Sequence, residues 1–129
     1  MATSTPGGAK TNLGLEPNIA GLLCYVPCCI GLVFSVVAAI VEKQSRFVRF
    51  HAFQSLLVHA AAIVLGIGLN VTQVVLSLVG LGAVGFLIWL VGMLVGLGFL
   101  GVTIYLMIKA NAGEEFELPT LGRLARQWV

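Results

Sequence analysis

Charge is what this chain has least of. Only 9% of its 129 residues are Asp, Glu, Lys or Arg, while 59% are hydrophobic. Soluble domains average about a quarter charged residues, and a soluble fold of this size needs more polar surface to cover its core. The mean hydropathy of +1.06 points the same way. A soluble helical bundle with a very apolar core is the competing reading, but the apolar runs exceed what a buried helix requires. The net charge of +2, with no basic stripe, excludes nucleic acid as a partner. Carboxylates are confined to Glu16, Glu42, Glu114, Glu115 and Glu117, all outside the apolar runs. A proton or ion relay needs acids within the membrane, so a transporter working through this chain alone is not expected. Cys24, Cys28 and Cys29 lie in one apolar run, and an odd, clustered set is no disulfide framework. With no second ligand pair, they do not read as a soft-metal site either. Nucleophile elbow, zinc motif and phosphate loop are all missing. The chain therefore reads as non-enzymatic, with no catalytic residue, metal or cofactor. A secretory signal, an N-myristoylation site and a prenylation box are likewise not seen.

What is present is helical and membrane-like. Residues 1–17 read as a flexible tail rich in Ser, Thr, Pro and Gly, ended by Pro17, with Asn18 as a helix cap. Ile19 to Val41 is 23 residues without a charge. That is roughly 34 Å of helix, enough for a ~30 Å hydrocarbon core, with a kink expected at Pro27. Glu42 to His51 mixes bases with aromatics, the combination that headgroup layers favour. Ala52 to Leu69 reads as a second span. Asn70, Thr72 and Gln73 read as a turn, Val74 to Gly82 as a short apolar segment, and Ala83 to Ile108 as a third span. The fold class is thus an all-α integral membrane helical bundle over 18–109. Three spans are favoured and four are the alternative. The tail, 110–129, carries a short amphipathic piece in which Leu121, Leu124, Ala125 and Trp128 share a face.

Charge sets an expected topology. Lys43, Arg46 and Arg49 mark the first loop as cytoplasmic, and Lys109, Arg123 and Arg126 mark the tail likewise. With three spans this places the N-terminus outside and makes the chain a multi-pass protein of the cell inner (plasma) membrane. Lys43, Arg46, Phe47, Arg49, Phe50 and His51 are the expected lipid anchor. The arginines would snorkel to phosphate and the aromatics dip toward acyl chains. Small or polar residues also recur at helical spacing: Cys24, Cys28, Gly31, Ser35 and Ala39; Ser55, His59, Ala62, Gly66 and Asn70; and Gly85, Gly92, Gly96 and Thr103. Such faces let membrane helices approach closely. Gly85, Gly92, Gly96, Ser55, His59 and Gly66 are the candidate helix-packing residues, either between protomers or inside one bundle. His59 is the one ionisable residue deep in a span and so a functional candidate.

Two stretches carry a resemblance. Glu42 to Ser55, EKQSRFVRFHAFQS, resembles the EK-x-x-x-FVRFHA-x-QS signature of a family of small uncharacterised bacterial and archaeal membrane proteins. Lys109 to Gly122, KANAGEEFELPTLG, resembles its closing KA-x-x-GE-x-F-x-LP-x-x-G pattern. That family is distantly similar to the Tic-type import component of the chloroplast inner envelope. The resemblance implies a multi-span helical protein, drawn with four spans in the import component, and supplies no catalytic residues. The leading expectation is a subunit or scaffold acting through helix–helix contacts in the bilayer, as a homo-oligomer or with other membrane subunits. The second is a channel or protein-translocation component. The third is a cofactor- or pigment-binding subunit with His59 as ligand.

Overall fold

In the computed structural model, which describes residues 11–129, every regular element is a helix: α1 (Pro17–Cys24), α2 (Cys29–Val41), α3 (Arg46–Leu78), α4 (Gly82–Asn111) and α5 (Leu121–Arg126). The chain divides into two compact units, one formed by 1–59 together with 103–129, the other by Ala60–Val102.

The first unit contains the core. Ala20, Cys24, Tyr25, Ala38, Phe47, Val48, Phe50, Ala52, Val58, Leu106, Ala110 and Ala125 are its buried apolar residues. The expected first span, Ile19–Val41, is corrected: it is two short helices rather than one kinked one. Pro27 has no N–H and its ring clashes with the preceding turn. Here α1 stops at Cys24, with Tyr25 and Val26 N–H donating back to the Leu22 and Leu23 carbonyls. Cys28 then takes φ 73°, ψ −164°, a left-handed conformation that favours glycine, and the chain reverses. α1 packs against α2. Gly31 makes this reversal feasible, because a Cβ there would collide with the Val26 carbonyl oxygen.

The base of this hairpin is closed. Asn12 N–H donates to Glu42 Oε2 at 2.8 Å, and Lys43 N–H donates to Asn12 Oδ1 at 3.0 Å. Glu42 is fully buried, and its Oε1 also accepts the Gln44 and Ser45 N–H groups at 2.9 Å each. Ser45 in turn caps α3 by accepting the Val48 N–H. Residues 11–17, expected as loose tail, are therefore bonded at one end of the hairpin, while 1–10 lie outside the described residues. The N-terminus, expected on the side opposite the 42–51 loop, lies outside the described residues, while Asn12 is held beside that loop by the same bonds. Asn18, expected as a cap, lies inside α1, which starts on Pro17.

The second unit has a different character. It contains no charged residue, and Gly85 is its sole buried position. α3 does not turn at Asn70–Gln73, as expected, but continues to Leu78. Asn70 and Thr72 donate to the carbonyls of Gly66 and Gly68, four residues back, so polarity is absorbed without leaving the helix. The turn comes at Gly80, φ 82°, where Leu81 N–H reaches the Leu76 carbonyl and Gly80 N–H that of Ser77, the paired capping bonds of a glycine-ended helix. Two helices are long and apolar enough to cross a membrane, α3 with 33 residues and α4 with 30. At 1.5 Å per residue these reach about 50 and 45 Å, matching a bilayer with its headgroup layers. α2, with 13 residues, is about 20 Å long and too short to cross.

Replacing Gly31 with Ala should destabilise the protein by about 1–3 kcal/mol, the usual cost of overpacking. Gly66→Ala, where a Cβ meets nothing within 4 Å, should be neutral or stabilising by up to ~1 kcal/mol. Thermal unfolding of both variants in one detergent measures the difference.

Candidate functional site

The densest polar chemistry lies in the first unit, around the FVRFHA-x-Q stretch that opens α3. Helical spacing puts Phe47, His51, Gln54 and Ser55 on neighbouring positions of one side, and all four are buried. His51 Nε2 faces the Glu114 carbonyl at 3.2 Å and so donates to it. Nδ1 is then the acceptor, at 3.0 Å from the Tyr25 hydroxyl. Gln54 Nε2 donates to the Tyr25 oxygen and to the Phe116 carbonyl, both at 3.0 Å, while Gln54 Oε1 accepts the Leu118 N–H at 3.0 Å. Three side chains thus join the tip of α1, the first turns of α3 and the segment after α4. Each bond inside this low-dielectric setting is strong, and each would be costly to leave unmade.

A second cluster satisfies the break in the hairpin. The end of α1 frees the Cys24 carbonyl, which receives the Ser55 hydroxyl and lies 2.9 Å from Ser35 Oγ. Ser35 Oγ also lies 2.7 Å from the Gly31 carbonyl, so its single proton has two backbone acceptors to choose between.

The closing stretch completes the unit. α4 ends at Asn111 and is stopped by Gly113, φ 76°, with Glu114 N–H on the Lys109 carbonyl and Gly113 N–H on that of Ala110. A Cβ on Gly122 would lie 2.6 Å from Gln54 Oε1 and collide with Glu117, so only glycine lets α5 approach the hub. Arg126 bonds Glu117 and Glu115 at 2.6 and 2.9 Å, Glu117 first, and these bonds raise its pKa above the ordinary guanidinium value. Lys109 pairs with Glu114.

The expected lipid anchor divides. Lys43 and Arg46 are exposed. Arg49 is half-buried, with Nη2 donating to the Trp128 carbonyl at 3.1 Å. Phe47, Phe50 and His51 are corrected: they are buried and do not dip toward acyl chains. Phe47 and Phe50 pack edge-on against His51, and the Arg126 guanidinium lies 4.4 Å from the Phe50 ring centre. Trp128, beyond the end of α5, is exposed and stands edge-on to Phe53. His59 Nδ1 donates to the Ser55 carbonyl at 2.8 Å, which ties it to its own helix. Among the described residues no three His, Cys, Asp or Glu come together as a metal set.

Within the second unit, glycine contact is close at Gly85 alone, where a Cβ would lie 3.0 Å from Ser77 Oγ and 3.1 Å from the Gln73 carbonyl. Gly92 would meet Leu69 at 3.8 Å, and Gly96 nothing within 4 Å. The expectation that Gly92 and Gly96 form a tight seam is therefore not met inside this unit. They line an open groove of about 430 Å³ with Ala62, Gly66, Asn70 and Gln73.

Tyr25, Gln54, Glu42 and Gly122 join the site without being among the residues expected there. Gln54 and Gly122 stood in the two quoted stretches, and the periodicity of α3 was enough to group Gln54 with His51 and Phe47. Tyr25 and Glu42 had no local signal.

A profile of the magnetosome magnetite crystal formation protein family matches residues 14–125. A UPF0132 membrane protein of Methanocaldococcus jannaschii is 37% identical over 119 residues, 92% of this chain and 94% of its own. Another from the same organism is 31% identical over 90% of this chain and 72% of its own length. A UPF0132 membrane protein of Archaeoglobus fulgidus is 34% identical over 89% and 97% respectively. No solved structure matches. With relatives named as membrane proteins and two helices of spanning length, the chain has a membrane location.

Gln54→Leu strips a donor from the Phe116 carbonyl and an acceptor from the Leu118 N–H, each loss typically about 1–3 kcal/mol for a buried group. The variant should unfold at lower temperature and expose residues 114–118 to protease. Arg46→Ala, at an exposed site, should leave both readouts within error.

Proposed function

The chain belongs to the magnetosome magnetite crystal formation protein family, and we propose that it acts as a non-enzymatic subunit that assembles with a second copy of itself in the plasma membrane. The observation that carries this reading is the groove between α3 and α4 in the charge-free unit. Ala62, Gly66, Gly92 and Gly96 leave backbone open to approach, and no side chain of the unit fills the space at Gly96. Lipid tails are as apolar as leucine, so membrane helices associate through close backbone contact and interhelical hydrogen bonds. Asn70 and Gln73 on the groove wall add polar groups for such bonds.

The proposed orientation crosses the bilayer twice, through α3 and α4. Lys43, Arg46, Arg49, Lys109, Arg123 and Arg126 all belong to the first unit, and the turn at Val79–Leu81 carries no charge. The bias of Lys and Arg toward the cytoplasm then puts the start of α3 and the end of α4 on the inner side.

A channel or translocation role has weaker support. Asn70, Thr72 and Ser77 each donate to their own helix four residues back, which removes the need for a water-filled path. A role at a mineral surface, which the family description carries, lacks free acids in the tail. Glu114, Glu115 and Glu117 are all held in ion pairs.

Gly96→Leu and Gly66→Leu should each fill the groove and weaken self-association in mild detergent by at least about tenfold, or ~1.4 kcal/mol, with thermal stability retained. Gly98→Leu, which also meets nothing within 4 Å but does not line the groove, is the control. Sedimentation of the three variants over a protein-to-detergent series reads the result. Equal effects at 96 and 98 would end the assembly reading.

A further inference from the structure

We propose that the α1–α2 hairpin is re-entrant: it enters the bilayer from the side of the Glu42–Ser45 loop, turns within the hydrocarbon at Val26–Cys29, and returns to the same side, with the acyl chains of that leaflet covering α2. The inference does not depend on self-association.

Four observations converge on it. First, the two ends of the hairpin meet, through the Asn12–Glu42 and Asn12–Lys43 bonds, so the segment leaves on the side from which it enters. Second, no charge occurs from Pro17 to Val41, while Glu16, Glu42 and Lys43 flank the run. A hairpin whose charges all sit at its base and whose tip has none fits an apolar layer with polar boundary on one side. Third, α2 buries Gly31, Ser35 and Ala38 and turns Ile30, Val33, Val37 and Ile40 outward, Ile30 and Ile40 at 67% exposure each. At about 20 Å the helix is too short to span but long enough to reach the bilayer's middle.

The fourth observation is compatibility of the backbone with membrane depth. Irregular backbone at membrane depth is tolerated only where the protein itself satisfies it. The α1 end of the break does this: the Cys24 carbonyl takes the Ser55 hydroxyl with Ser35 beside it, the Leu22 and Leu23 carbonyls take backbone N–H groups, and Tyr25 is buried with its hydroxyl bonded to His51 and Gln54. The side chains that face outward at the tip, Cys28, Cys29 and Ile30, need none.

Cys28 and Cys29 are exposed and Cys24 is buried, so the native thiols report on the tip. The full chain, reconstituted in sealed vesicles of phosphatidylcholine and phosphatidylglycerol, would be treated with a charged, impermeant maleimide, and separately with a permeant bimane. A Lys43→Cys chain provides the reference side. The native thiols should react with the charged reagent at least tenfold more slowly than position 43, from either side. The bimane adduct should be quenched severalfold more by nitroxide placed midway along the acyl chain than by nitroxide at the headgroup. Labelling as fast as position 43 from the same side would place the hairpin in water. Labelling from the opposite side would make it a true span. Either result overturns the proposal.

Discussion

Every backbone polar group that the chain frees in an apolar setting has to be satisfied by the chain itself, and the break after α1 is where this constraint is most acute. Four residues, Tyr25 to Cys28, leave the helix. The remedy reaches across sequence: Ser35 comes from α2, Ser55 from α3, and Tyr25 is itself seated on His51 and Gln54. Once Gln54 is fixed there, its remaining donor and acceptor hold Phe116 and Leu118, and Gly122 brings α5 against it. The order of the first unit follows from meeting that one demand.

The same constraint explains why polarity is spread as it is. In the charge-free unit, polar side chains are few and bond within their own helix, so α3 continues through Asn70 and Thr72 to the glycine stop at Gly80. In the first unit, polar side chains bond between segments and build a core. The basic residues lie where the core meets its surroundings. Arg126 is held by two glutamates over the Phe50 ring, and Arg49 reaches the Trp128 carbonyl.

Much of this was legible in the sequence. The membrane class followed from the charge-free runs, and α4 was bracketed within a few residues. What was not legible has a common cause. Hydropathy measures composition, and a hairpin of two short helices has the same composition as one continuous helix. The features that separate them at Ile19–Val41, the Gly31 approach and the Ser35 and Ser55 hydroxyls on one carbonyl, are contacts between segments. Asn70–Gln73 read as a turn because polar residues usually mark one, whereas here their side chains find carbonyls a turn back. Phe47, Phe50 and His51 read as interfacial because bases stand beside them. Their burial depends on Gly21, which admits Phe47 and His51 against α1, and on Arg126.

The central claim is that the two ends of the described chain share one side of the bilayer, because the hairpin returns and α3 and α4 cross once each. Single cysteines at Glu16, Val79 and Arg123, in a chain with Cys24, Cys28 and Cys29 replaced by alanine, test it with an impermeant thiol reagent on sealed vesicles. The account predicts that positions 16 and 123 label from the same face and position 79 from the other. Labelling of 16 and 79 from one face, opposite 123, would contradict it.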